Sequence, residues 1–149
     1  MTLEAVLAYL HILAILTLVV FISSETALCR VQWMSAAVIE RLVRIDTIYA
    51  IALALVFASG FARSWWGMKG AAWYWSHSLL HLKLTMFIIV VLMSIVPARR
   101  YRRWRRALHV SGALPAAQEV RNTYKWLMAQ AHLIGLIPLA AVFLARGFG

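Results

Sequence analysis

"SLLHLKLTMFIIVVLMSIVPARRYRRWRRALHV", Ser78 to Val110, is the stretch that decides the fold. From Ser78 to Val96 it is overwhelmingly apolar, with His81 and Lys83 as its only ionisable groups. It then turns into a basic run that supplies Arg99, Arg100, Arg102, Arg103, Arg105 and Arg106. An apolar run of this length suits a membrane-crossing helix, which needs about 20 mostly apolar residues and roughly 17 at least. A cluster of arginines at one end of such a run is the usual anchor on the cytoplasmic side.

The rest of the chain repeats the pattern. Three further apolar runs cover Leu3–Ile22, Thr47–Arg63 and Trp126–Ala145. Hydrophobic residues make up 64% of the chain and charged residues 13%, with a formal balance of +10. A soluble domain is about half apolar, so the surplus points to lipid as solvent. Because the scarce basic residues cluster between apolar runs, the charge argues for membrane topology ahead of nucleic-acid binding. The first run carries Glu4 where a signal peptide would carry basic residues, and no small-residue cleavage site follows it, so it reads as a retained helix. A single cysteine, Cys29, excludes an internal disulfide and a CxxC-type metal site. The expectation is an all-α fold, an integral membrane bundle of four transmembrane helices. It forms one domain over 1–149, with helices at about 3–22, 47–63, 78–96 and 126–145 and a basic loop at 98–125.

Charge also sets the orientation. The connection after the first run carries Arg30, Arg41 and Arg44, and the arginine run with Arg121 and Lys125 lies on the same side. The other side receives Arg63, Lys69 and Arg146, with Lys83 just inside the third helix. The positive-inside rule places the arginine-rich side in the cytoplasm and both termini outside. The arginines can also attract anionic lipids. Tyr101 and Trp104 read as part of an aromatic belt on that side, with Trp33, Tyr124 and Trp126. Trp65, Trp66, Trp73, Tyr74 and Trp75 form the opposite belt.

Polar groups inside a span face protein or water rather than lipid. On the first helix Glu4, Ala8, His11, Ile15, Leu18, Ile22 and Glu25 share one stripe, which reads as the buried face. On the second, Ala50, Ala54, Ala58 and Ala62 form a small-residue ridge suited to close helix approach, beside a stripe of Asp46, Tyr49, Gly60 and Arg63. On the third, His77 and His81 share a face, whereas Lys83 lies about 200° further round from His81. On the fourth, His132 and Gly135 share a face and Gln130 lies roughly opposite.

His11, Arg63, His77, His81 and Lys83 all belong to the outer half, so they can gather there. Three chemistries could use them. His11 and His81 are matched in depth and could ligate a heme iron, with Arg63, Lys69 or Lys83 meeting the propionates. His77 and His81 could bind copper or zinc with Met68. Glu4, His11 and Lys83 could pass an ion or a proton. Against these stand plainer readings: a histidine hydrogen-bonded between helices, and a Lys83 that snorkels to the headgroups. No nucleophile elbow, phosphate loop or carboxylate pair supports a hydrolase or a nucleotide-binding protein.

The segments "LHILAILTLVVF" around His11 and "HLKLTMFIIVVLMS" from His81 carry a resemblance. Over almost its whole length the chain is similar to an uncharacterised family of four-helix bacterial membrane proteins. It resembles more distantly the HemJ-type protoporphyrinogen oxidases and the membrane domain of CopD copper-resistance proteins. The shared features are His11 early in the first helix, the His81, Lys83, Leu84 pattern opening the third, and the approach through Trp73 and Trp75. The resemblance implies a bacterial inner-membrane, oligomeric protein that binds heme b and has an oxidoreductase role. It implies His11 and Lys83 as catalytic positions, His11 and His81 as iron ligands, and Arg63 and Lys83 as cofactor-binding residues. The chain departs from the HemJ pattern after His11, where it reads "AILTLVVFISSE", and at the end of the third helix, where it reads "VLMSIVPARR". The alternatives are a copper or small-solute transport component, and a structural bundle without cofactor.

Overall fold

The structure is a computed structural model that describes residues 2–66, 76 and 78–146. Its elements are α1 (Thr2–Leu28), a short 3-10 turn (Val31–Trp33), α2 (Ala36–Trp66), α3 (Ser78–Ser111) and α4 (Ala117–Ala145). Among the described residues, all four long helices are apolar enough to cross a membrane. Only 18–28% of each spanning window is buried inside the protein, so most of each span faces outward, as expected of helices whose solvent is lipid. The helices pack as a four-membered ring. α1 lies against α2, α2 against α3, α3 against α4, and α4 against α1.

The helices are longer than the apolar runs. The 34 residues of α3 rise about 51 Å at about 1.5 Å per residue, against a hydrocarbon layer of about 30 Å. The segment 98–125 is therefore helix except at 112–116, where a loop was expected. The apolar signal stops at Val96 because the later turns of α3 are amphipathic. Pro97, Tyr101 and Trp104 are buried, while Arg99, Arg102, Arg103 and Arg106 are exposed. Tyr101 and Trp104 are thus core residues rather than an interfacial belt, and they meet edge to face with centroids 5.6 Å apart. α2 likewise begins at Ala36, well before its apolar run opens at Thr47, with Ile39, Leu42 and Val43 buried.

Local chemistry sets the ends. Ser35 opens α2, its hydroxyl accepting from the Val38 amide at 3.4 Å. Gly112 closes α3 in the left-handed region (φ 69°), with its amide bonded to the Leu108 carbonyl at 2.9 Å. Pro115 precedes α4 and Glu119 lies in its first turn, where a carboxylate suits the helix dipole. Inside α3, Pro97 has no amide to offer the Met93 carbonyl. The Trp126 indole of α4 donates to that carbonyl at 2.9 Å and replaces the missing bond.

On the expected inward stripe of α1, His11, Leu18, Ile22 and Glu25 are buried and Glu4, Ala8 and Ile15 half-buried, with Ala14 buried beside it. On α2 the small-residue ridge does not pack inside this chain. Ala50, Ala54 and Ala58 lie on the exposed side, and the adjacent stripe through Asp46, Tyr49, Ala52 and Val56 packs inward. The larger stripe wins because it fills the space between four helices, whereas alanines would leave it empty.

Candidate functional site

The end of the bundle opposite the arginine run is organised by His11. Its ring is 5% exposed, and Nδ1 lies 2.8 Å from Ser59 Oγ of α2. The Ser59 hydroxyl donates to the Leu55 carbonyl at 2.6 Å, so its remaining capacity is as an acceptor for an Nδ1–H. That arrangement fixes the imidazole and leaves Nε2 as the ring's basic nitrogen. The next residue of α2, Gly60, makes room: a Cβ there would come within 3.2 Å of His11 Cε1. Hence the sequence Ser59-Gly60 supplies both the tether and the clearance for one buried ring.

Two cations share this space. Lys83 of α3 and Arg63 of α2 are both within electrostatic range of His11, and both are half-buried. Three helices therefore bring His11, Arg63 and Lys83 together. An imidazole flanked by an ammonium and a guanidinium is suited to an anionic group, such as a carboxylate.

His81 is placed differently. It lies on the exposed side of α3, as the turn of about 200° from the inward-leaning Lys83 requires. His11 is buried where His81 is exposed, and Lys83 lies within electrostatic range of His11. His77, Lys69, Met68, Trp73, Tyr74 and Trp75 lie outside the described residues. Among the described residues no three of His, Cys, Asp and Glu are grouped to hold a metal ion. His132 is exposed on α4, and its Nδ1 lies 2.7 Å from the Met128 carbonyl.

A second polar cluster occupies the arginine-rich end. Glu25, Asp46, Tyr49, Tyr101 and Gln130 are each buried and come from all four helices. The Tyr101 hydroxyl donates to Glu25 Oε2 at 3.4 Å, and the Gln130 amide donates to the Tyr49 hydroxyl at 2.7 Å and the Val90 carbonyl at 3.3 Å. Cys29, in the turn after α1, borders this cluster. Burial, the largest cause, pushes its thiol up from 9.0 to about 12. Separate sequence stripes contain Glu25, Asp46 with Tyr49, and Gln130, but their spacing does not say that they meet. Tyr101 was hidden among arginines, and only its place three residues before Trp104 hints at an inward face.

The chain that forms these four apolar helices is matched over residues 3–149 by a family model described as predicted membrane protein. The chain belongs to the DUF2214 family. No curated protein and no solved structure matches it. Membership gives a membrane protein; the comparisons do not extend to the HemJ-type oxidases or to CopD. In this DUF2214 chain the His11 site combines one oriented imidazole, two cations and a glycine clearance, while the opposite end combines carboxyls, phenols and a carboxamide.

Proposed function

We propose that the protein binds heme b in a membrane and serves a redox role, with His11 at the centre of the site. The observation that supports this is the Nδ1 contact of His11 with Ser59 above Gly60. A ligating histidine is ordinarily oriented by a hydrogen bond from its other nitrogen, and Ser59 meets that need. Arg63 and Lys83 add two cations on the same side, where carboxylates of a porphyrin would be neutralised. A bound heme supplies one-electron chemistry at its iron, and its potential is set by the ligand and the dielectric around it. The chain's own contribution is to hold the imidazole still, to keep water from it by burial, and to place Lys83 as a movable proton donor or charge partner.

His81 enters this reading through assembly. A histidine on an outward face completes an iron site only with a second copy of the chain, which ties heme binding to a homo-oligomer. The same reading places the protein in the bacterial inner membrane. The arginine-rich end faces the cytoplasm and meets anionic lipids, and both termini lie outside.

The test is an optical spectrum of the full chain purified from cells supplied with heme. A Soret band is expected, lost in His11→Ala and weakened in Ser59→Ala. Absence of the band from the wild-type protein rejects the heme reading. Loss of the band in His81→Ala, together with a monomeric elution of that variant, supports a site shared between chains.

A further inference from the structure

The carboxyls at the arginine-rich end are not balanced by the ion pairs near them. The ion pairs among the described residues are Arg103–Glu119 and His109–Glu40, and neither involves Glu25 or Asp46. Arg102 faces Asp46 electrostatically. Glu25, 1% exposed, is met instead by the like charge of Asp46 and by the Tyr101 hydroxyl. It also sits in the last turn of α1, where the helix dipole is negative and no basic side chain opposes it.

Among the described residues two buried acceptors here have no donor, Glu25 Oε1 and Gln130 Oε1, and the buried Trp104 indole N–H makes no hydrogen bond to either. Gln130 is fully buried, and its amide nitrogen is held by Tyr49 and Val90. Tyr49 in turn lies within electrostatic range of both Glu25 and Asp46. Buried oxygens are normally satisfied, and acceptors left over beside an acid call for a donor or a positive charge.

We propose that this cluster is an internal binding site for a monovalent cation, a proton or an alkali ion, held chiefly by Glu25 with Gln130 and the Tyr49 and Tyr101 hydroxyls around it. The charge count sets the valence, since Arg102 offsets Asp46 and leaves the single charge of Glu25. The oxygen donors set the class, because such groups favour hard cations over soft ones. The titratable groups that face Glu25 are Asp46 and Tyr49 from α2, Tyr101 from α3 and Cys29 from the turn, while Arg102 faces Asp46 and Arg100 faces Cys29 rather than Glu25. From α4 come Gln130 and Thr123, whose hydroxyl accepts from Arg100 at 2.9 Å. The site shares no residue with the His11 centre, so it stands or falls independently of the heme reading.

The experiment follows the thermal midpoint of the full chain in lipid nanodiscs. NaCl or KCl replaces choline chloride at constant ionic strength, at a series of pH values. A rise of about 4 °C at saturating Na+ or K+ is expected for an alkali ion, and Glu25→Gln removes it. A midpoint that ignores both salts but depends on pH, and loses that dependence in Glu25→Gln, identifies the proton. A wild-type midpoint that ignores both salts, with a pH dependence unchanged by Glu25→Gln, overturns the site. If Glu25→Gln does not fold, Gln130→Leu takes its place in the salt series, with the same expected loss of the salt-dependent rise. Sodium NMR on the wild-type chain reads the ion directly: broadening that K+ or acid reverses supports the site. An unbroadened signal beside a midpoint unaffected by K+ and by pH rejects it.

Discussion

The two ends of the bundle solve the problem of polarity in opposite ways. At the tryptophan-rich end a single histidine is tethered to one neighbouring helix, and the groups around it are cations. At the arginine-rich end carboxyls, phenols and a carboxamide from four helices interlock, and the cations lie mostly outside. The difference teaches where stability and where chemistry reside. A network built from every helix fixes the bundle, whereas one hydroxyl beside a glycine fixes a single ring and leaves its Nε2 as the basic nitrogen.

Removing a member of the interlocked end is the hardest test of that contrast. Tyr101 is fully buried, packs on Trp104 and donates to Glu25. Tyr101→Ala should cost about 3–5 kcal/mol, by the cavity it leaves and the carboxyl it abandons. Reversible unfolding in mixed micelles measures this. A loss under about 1 kcal/mol, the scale of a typical hydrogen bond, would mean that the end is not cooperatively packed.

At the other end the corresponding change is an addition. Gly60→Ala places a methyl 3.2 Å from His11 Cε1, so the ring must move or α1 must step away from α2. Overpacking of this kind costs about 1–3 kcal/mol. The sharper readout is chemical: any absorbance that depends on His11 should shift or fade in Gly60→Ala while the far-ultraviolet helix signal persists. An unchanged spectrum would place the functional ring elsewhere.

What could be read from the residues follows the same division. The α1 stripe was legible because one face of a helix repeats every three to four residues, and His11 to Glu25 kept that period. The membrane class was legible because each apolar run reaches spanning length. The ends of the helices were not. Residues 97–111 look like a basic loop to any measure of hydropathy, yet Tyr101 and Trp104 pack inward and the arginines cover the outside. Nor could spacing choose between His81 and Lys83, which point apart by geometry; only the position of α3 against α2 turns the lysine toward His11. The buried acid cluster was the least visible part, because its members are scattered from residue 25 to residue 130.

A smaller effect is expected where a side chain repairs the backbone. Trp126→Phe keeps the ring but removes the donor to the Met93 carbonyl that Pro97 leaves unpaired. The loss should be about 1 kcal/mol. Pro97→Ala in the same background should recover most of it, since the restored amide takes over the carbonyl. Failure of the double substitution to recover stability would show that Trp126 matters for packing alone.

The smallest effect belongs to the surface of the same end. Glu40 of α2 and His109 of α3 approach to 2.6 Å, and Arg103 pairs with Glu119 of α4, all on partly or largely exposed side chains. Water and salt screen such pairs, and they contribute about 0–1 kcal/mol each. His109→Gln should therefore change stability by less than about 1 kcal/mol, and high salt should erase the difference. If the change instead rivalled that of Tyr101→Ala, the arginine-rich end would be held by its rim rather than its interior. The buried carboxyls would then be spectators of the fold rather than its fastening.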